Sequence, residues 1–213
     1  AQWQDEEGRV IAKPLADNVA ARITDQPATV TQSLCKVKKQ PPPLLYNLSA
    51  LQIDAAKRFS MTAKQVLDSC QSLYERHKLL TYPRSDCRYL PKQHFGDRDR
   101  VLSAIASNAQ NLAEAVGQSD TSLKSKAWND SRVSAHHAIV PTARQASTAK
   151  LSSAERNIYE LVARQYVAQF YPAHEYSDSQ IDLEIAGGLF IAKARQPLQD
   201  GWKVLYPKKT AKQ

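Results

Sequence analysis

Tyr82 and Arg84, separated by Pro83, are the residues whose types and spacing most directly suggest chemistry. A residue before proline is pushed out of the α region, so Tyr82 is predicted to be extended. In an extended chain residues i and i+2 share a face, which sets the phenol beside the guanidinium. A phenol can attack a phosphorus centre, and a guanidinium can hold a phosphate oxygen and stabilise developing phenolate. A free phenol titrates at about 10 and offers little phenolate at neutral pH, so a tyrosine nucleophile needs such help.

The charge supports a phosphate-bearing partner. The 213-residue chain has a formal net charge of +8 and a pI near 9.4. Between Lys36 and Arg100 stand thirteen Lys and Arg against six Asp and Glu, which leaves the rest of the chain nearly balanced. The positive excess therefore surrounds the Tyr82 segment, as a polyanion-binding surface would require. The apolar share of 42% is that of a folded chain, with room for one large domain or two small ones. No apolar run approaches the roughly 18 residues of a membrane span, and no leader pattern opens the chain. These features predict a cytoplasmic protein, and the missing initiator Met suggests an excised fragment or a processed chain. Cys35, Cys70 and Cys87 are scattered, which argues for buried or semi-buried free thiols rather than disulfides or a zinc site.

The elements that must position Tyr82 are mainly helical. Residues 8–13 read as a short strand, Asp17 to Ile23 as a short helix, and Ala28 to Lys38 as a β-rich strand ended by Pro41-Pro42-Pro43. Ser49-x-x-Gln52 and Thr62-x-x-Gln65 have the form of capping boxes. They open helices with inward rows Leu51, Ala55, Phe59 and Val66, Cys70, Leu73, Tyr74. The second should fray near His77-Lys78 and deliver the chain into Tyr82. Asp97 or Asp99 opens a helix with Val101, Leu102 and Ile105 inward, and residues 117–127 read as a loop. Arg132 to Thr142 should be extended around Pro141. Ser152-x-x-Glu155 caps a helix with Tyr159, Val162, Tyr166 and Phe170 inward. Beyond Pro172 the period becomes two: a strand through Ile185, a turn at Gly187-Gly188, a return strand, then a further strand at Gly201–Tyr206 and a frayed tail from Lys208. The prediction is α+β, a helical domain (46–172) inserted into a β-rich domain (1–45 and 173–213).

Leu80-Thr-Tyr-Pro-Arg-Ser-Asp-Cys-Arg-Tyr-Leu-Pro91 resembles the active-site segment of type IA DNA topoisomerases, above all the bacterial topoisomerase III branch. Asn47 to Phe59 is similar to the helix opening that family's third domain, Ala135-His-His-Ala-Ile-Val-Pro-Thr142 to its histidine motif, and Gln4 to Val10 to its second domain. The resemblance spans nearly the whole chain. It implies that Tyr82 is the nucleophile, Arg84 a phosphate ligand and His136 an active-site histidine. His137, where topoisomerase I-like members carry glutamate, favours the topoisomerase III branch. Arg58, Arg88 and Arg144, in or beside the matched segments, become candidates for DNA-backbone contact.

The resemblance also implies single-stranded DNA as substrate, a 5′-phosphotyrosine intermediate, strand passage, and Mg²⁺ bound by an acidic domain that this chain would lack, along with a full fourth domain. Asp97-Arg-Asp99 matches that domain's D-x-D element only formally, because Asp is favoured at a helix start. The chain alone is accordingly expected to lack full activity, and a helicase partner is left open. Two other readings compete. A passive single-strand-binding module fits the basic surplus. A tyrosine recombinase also uses Arg, His and Tyr, but its tyrosine comes last, whereas Tyr82 precedes His136.

Overall fold

The computed structural model describes residues 2–3, 13–146 and 150–206. It separates into two compact units, one of Ala1–Gln40 with His174–Asp200, the other of Pro41–Ala173 with Gly201–Gln213. The Gln4–Val10 match, most of the 8–13 strand and the tail from Lys208 lie outside the described residues. The helix expected from Asp17 already begins at Lys13.

The first unit holds α1 (Lys13–Ile23) and an antiparallel sheet of β1 (Gln2–Trp3), β2 (Ala28–Gln40), β3 (His174–Ile185) and β4 (Gly188–Gln199) in the order β1-β4-β3-β2. β2 is exposed along its whole length, so Cys35 is exposed rather than semi-buried. The β3–β4 turn is shifted by one residue from its expected place. Ile185 pairs with Gly188, and Ala186 and Gly187 take the positive φ values of the two-residue loop.

The second unit carries the core. Its helices are α2 (Leu48–Phe59), α3 (Ala63–Glu75), α4 (Arg98–Asn108), α5 (Ala113–Gly117) and α6 (Ser153–Val167). The Thr62 and Ser152 capping boxes both form. The Ser49 box does not: Asn47 caps α2 by accepting from the Ala50 amide, so Ser49 falls inside the first turn. Leu51 and Ala55 are buried, but Phe59 in the last turn is 38% exposed. The inward rows of α4 and α6 are buried as expected. So are those of α3, except that Tyr74 is only half-buried.

The unit boundary falls at Pro41 rather than residue 46, because Leu45 and Tyr46 are buried in the helical core. There Gln165 and Gln169 of α6 and its extension donate to the Leu44 and Pro43 carbonyls. Gly201–Leu205 is a 3₁₀ turn and not a strand. Trp202 and Leu205, three apart, turn into the helical core while Val204 faces out, the spacing of a 3₁₀ helix rather than of a strand.

Candidate active site

The Tyr82 segment is pinned at both ends by burial. Leu79 and Leu80 before it and Leu90 after it are each about 1% exposed, and each buried leucine contributes about 1.5–3 kcal/mol. α3 ends at Glu75, Lys78 takes the left-handed conformation at φ 57°, and the Leu79 amide donates back to the Leu73 carbonyl at 2.8 Å. The chain then runs extended beside the histidine segment. The Thr81 amide donates to Val140, and the Thr142 amide to Leu79, each at 3.0 Å. The Thr81 hydroxyl accepts from the Val140 amide and donates to the Ala138 carbonyl. Further on, the Ser85 and Asp86 carbonyls accept from the Leu48 amide and the Asn47 side chain at the start of α2. The active segment is thus stitched to three other elements.

From Tyr82 to Cys87 exposure alternates: Tyr82, Arg84 and Asp86 face out, Pro83, Ser85 and Cys87 face in. That is the period-two pattern of an extended chain, and it puts Tyr82 and Arg84 on one face. Tyr82 is 38% exposed. Its ring stacks on His136, centroids 4.5 Å apart and planes inclined 23°, and meets the Tyr74 ring at 85° and 5.8 Å. Arg84 donates to Gln71 Oε1 at 3.3 Å, and Gln71 Nε2 donates to Glu75 at 2.9 Å. A phenol, a guanidinium and an imidazole are therefore presented on the surface of one compact unit, a set whose chemistry suits attack on and holding of a phosphodiester.

The two histidines part company. His136 is exposed at a bend of the chain, while His137 is half-buried, its Nδ1 2.8 Å from the Ala138 carbonyl and its ring edge-on to His94. The Arg132–Thr142 stretch is irregular, touching its neighbours by isolated bridges, Ile139 with Tyr46 and Pro141 with Leu80.

The three further arginines have different surroundings. Arg58 pairs with Asp54 at 2.9 Å and lies over the Tyr206 ring. Arg88 donates to the Leu44 and Leu45 carbonyls at 2.9 and 2.8 Å, which ties it to the backbone. Arg144 is exposed, beside the Tyr82–histidine strand pairing. Asp97 and Asp99 face arginines, Arg100 and Arg98, at 3.4 and 3.7 Å. Among the described residues no three His, Cys, Asp or Glu side chains come together so as to hold a metal ion.

Sequence reasoning missed the support beneath the site. Glu155, expected only as a cap, accepts from Ser72 at 2.6 Å and lies 3.4 Å from His77 Nε2, joining α6 to the end of α3. Gln71 and Tyr74 were hidden because an i, i+3 pair in a last helical turn reads as ordinary packing. The signal that could have marked them is position: that turn directly precedes Tyr82.

Comparison with known proteins identifies the family of the chain. A family profile described as DNA topoisomerase matches residues 1–213. The chain is 62% identical over 203 residues to DNA topoisomerase 3 of Vibrio cholerae, covering 95% of this chain and 31% of that protein. It is 53% identical to the protein of the same name from Haemophilus influenzae, over 97% of this chain and 32% of that one. With DNA topoisomerase 3 of Bacillus cereus it shares 37% over 96% of this chain and 28% of the relative. The chain thus spans about a third of the length of these curated relatives. In fold it is similar to full-length topoisomerase I of Thermotoga maritima, with a TM-score of 0.67 and 18% identity over 99% of this chain and 34% of that one. No described helix is long and apolar enough to cross a membrane.

Proposed function

We propose that this chain, which belongs to the DNA topoisomerase family and to its type IA, topoisomerase III-like branch, carries the nucleophile of an active site that cuts and reseals single-stranded DNA. Tyr82 Oη attacks a backbone phosphorus. The new O–P bond forms as the bond from phosphorus to the 3′ oxygen breaks. The phenol gives up its proton, and the 3′ oxygen takes one and leaves as a hydroxyl. The 5′ phosphate stays on the tyrosine while another strand passes, and attack by the 3′ hydroxyl reverses the exchange. One phosphate ester replaces another at each step, so no nucleotide triphosphate is needed.

Arg84 holds a non-bridging oxygen and offsets charge as it builds on the phosphate. His136, stacked on the Tyr82 ring, fixes the ring's orientation and donates to the same phosphate. The Mg²⁺ expected of the family belongs with residues outside this chain. Relaxation and decatenation are activities of the longer enzyme, and this chain by itself should not relax a supercoiled plasmid.

The observation that carries this reading is the exposed Tyr82 ring stacked on His136, with Arg84 on the same outward face. The test is denaturing gel analysis of end-labelled single-stranded DNA incubated with Mg²⁺ and the full-length enzyme containing this segment. A covalent adduct that disappears in Tyr82→Phe is expected. An adduct that survives the substitution would sink the assignment. The basic surplus equally suits a passive single-strand-binding module, and the same gel separates the two, because a passive module gives no adduct.

A further inference from the structure

We propose that Arg88 is a positioning residue for His136, a brace inside the protein and not a contact to the DNA backbone. The proposal rests on the strand-cutting reading above, in which His136 donates to the phosphate. Arg88 is half-buried, and its guanidinium is engaged with main chain. Its Nε donates to the Leu45 carbonyl at 2.8 Å and its Nη2 to the Leu44 carbonyl at 2.9 Å. Two donors of one planar head on two consecutive carbonyls make a charge-assisted fork, which fixes direction as well as distance. The acceptor side is firm. Leu45 is 1% exposed and Tyr46 5%, and the buried Gln165 of α6 also donates to the Leu44 carbonyl, at 2.7 Å.

What hangs on this brace is the histidine segment. The Ala138 amide donates to the Tyr89 carbonyl, next to Arg88, and the Ile139 amide to the Tyr46 carbonyl, next to Leu45, each at 2.9 Å. Two consecutive amides of the histidine segment thus find their acceptors on two different stretches of chain. Arg88 ties those stretches together where the histidine segment meets them. On the other side of His136, the Cys87 sulfur lies 3.4 Å from the Arg132 carbonyl oxygen. The chain is therefore held before and after His136 by Cys87 and Tyr89, the two neighbours of Arg88. His136 itself is exposed and stacks on the equally exposed Tyr82, so its ring goes where its backbone is held. Farther along, the same stretches are tied again by the Leu48 amide on the Ser85 carbonyl and by Asn47 on that of Asp86. Losing the Arg88 fork should therefore shift the His136 end without unfolding the loop. A lysine would keep the charge but cannot reproduce the planar fork that spans both carbonyls.

The test is Arg88→Lys in the full-length enzyme containing this segment. It is read by single-turnover cleavage of end-labelled single-stranded DNA at saturating enzyme, beside DNA affinity from fluorescence anisotropy at several salt concentrations. A contact to the DNA backbone would survive the change to lysine, and the brace would not. Cleavage should be about tenfold slower, as expected of a misplaced group, with affinity and its salt dependence unchanged. Because Arg88 acts through His136, adding Arg88→Lys to His136→Ala should slow cleavage no further. Wild-type cleavage by Arg88→Lys, a loss of DNA affinity in it, or full additivity with His136→Ala would each overturn the proposal. Should Arg88→Lys misfold, modification of wild-type arginines with phenylglyoxal decides. Arg88 should react equally slowly with and without DNA, whereas the exposed Arg84 should react when free and be protected by DNA. Protection of Arg88 by DNA would overturn the brace. Failure of the strand-cutting reading looks different, since it leaves no Tyr82-dependent adduct even in the wild-type enzyme, while failure of the brace leaves that adduct intact.

Discussion

The Tyr82 ring lies on the ring of His136, centroids 4.5 Å apart, so the phenol and the imidazole are already held against each other in the chain without DNA. Tyr82→Phe keeps the stack and removes only the hydroxyl, and should abolish the adduct with no change in melting temperature. His136→Ala should lower the cleavage rate by about 10²-fold, in the range of a lost transition-state donor. Single-turnover cleavage beside a thermal melt measures both.

Arg84 is held from below by Gln71, which is itself tied to Glu75. Gln71→Ala leaves the guanidinium in place chemically but free to wander. Cleavage should fall several-fold, well short of the loss in Arg84→Ala, with DNA affinity nearly unchanged. A fall in affinity equal to that of Arg84→Ala would show that Gln71 touches DNA itself.

Glu155 gives a pH-dependent term. Burial alone would raise its carboxyl, but hydrogen bonds from Ser72 and from the Ser152 amide, with the His77 charge, hold it at about 2 against an ordinary value of 4.5. A depressed carboxylate contributes stability above its unfolded value and loses it as the pH falls through the folded one. Urea midpoints should therefore drop between about pH 4.5 and pH 2, and Glu155→Gln should flatten that part of the profile. Ser152→Ala, which removes the helix cap, should cost about 1 kcal/mol at neutral pH.

The three thiols should react in two classes. Cys35 is exposed, with hydrogen bonds from Ser177 and Ser179 lowering its titration. Burial pushes Cys70 up to about 12, and Cys87 is buried. A thiol reagent should label Cys35 in the native protein, and Cys70 and Cys87 only after denaturation. Cys35→Ser should remove the fast phase entirely.

Gly201 sits at φ 54°, and a Cβ there would come within 2.4 Å of the Pro172 carbonyl oxygen and 2.5 Å of that of Ala173. Gly201→Ala should cost about 1–3 kcal/mol for the left-handed backbone alone, and more for the clash. Chemical denaturation should place it well below Val204→Ala, a truncation at an exposed position.

What the sequence made legible follows local chemistry. Thr62-x-x-Gln65 and Ser152-x-x-Glu155 form the boxes their spacing predicts, because each needs only its own first turn. The common outward exposure of Tyr82 and Arg84, with Pro83 buried between them, was also readable from their i, i+2 spacing. Ser49 misled because Asn47, two residues earlier, also bonds to the Asp86 carbonyl and so takes the cap. Gly201–Tyr206 was read as a strand because Trp202, Val204 and Tyr206 alternate, whereas contact with the helical core selected Trp202 and Leu205. Gln71, Tyr74 and Glu155 became visible only in three dimensions. Their roles depend on which helix ends meet, and no local pattern records that.

The outward–inward alternation from Tyr82 to Cys87 also constrains how this segment can evolve. Substitutions at its outward positions change one group at a time. An insertion or deletion of a single residue between Pro83 and Leu90 would instead exchange the two faces, turning charged Arg84 or Asp86 toward the core unless the whole loop were rebuilt. With its ends fixed by the buried Leu80 and Leu90, the segment should tolerate a change of residue better than a change of length. Relatives that keep this chemistry should vary here by replacement and not by gaps.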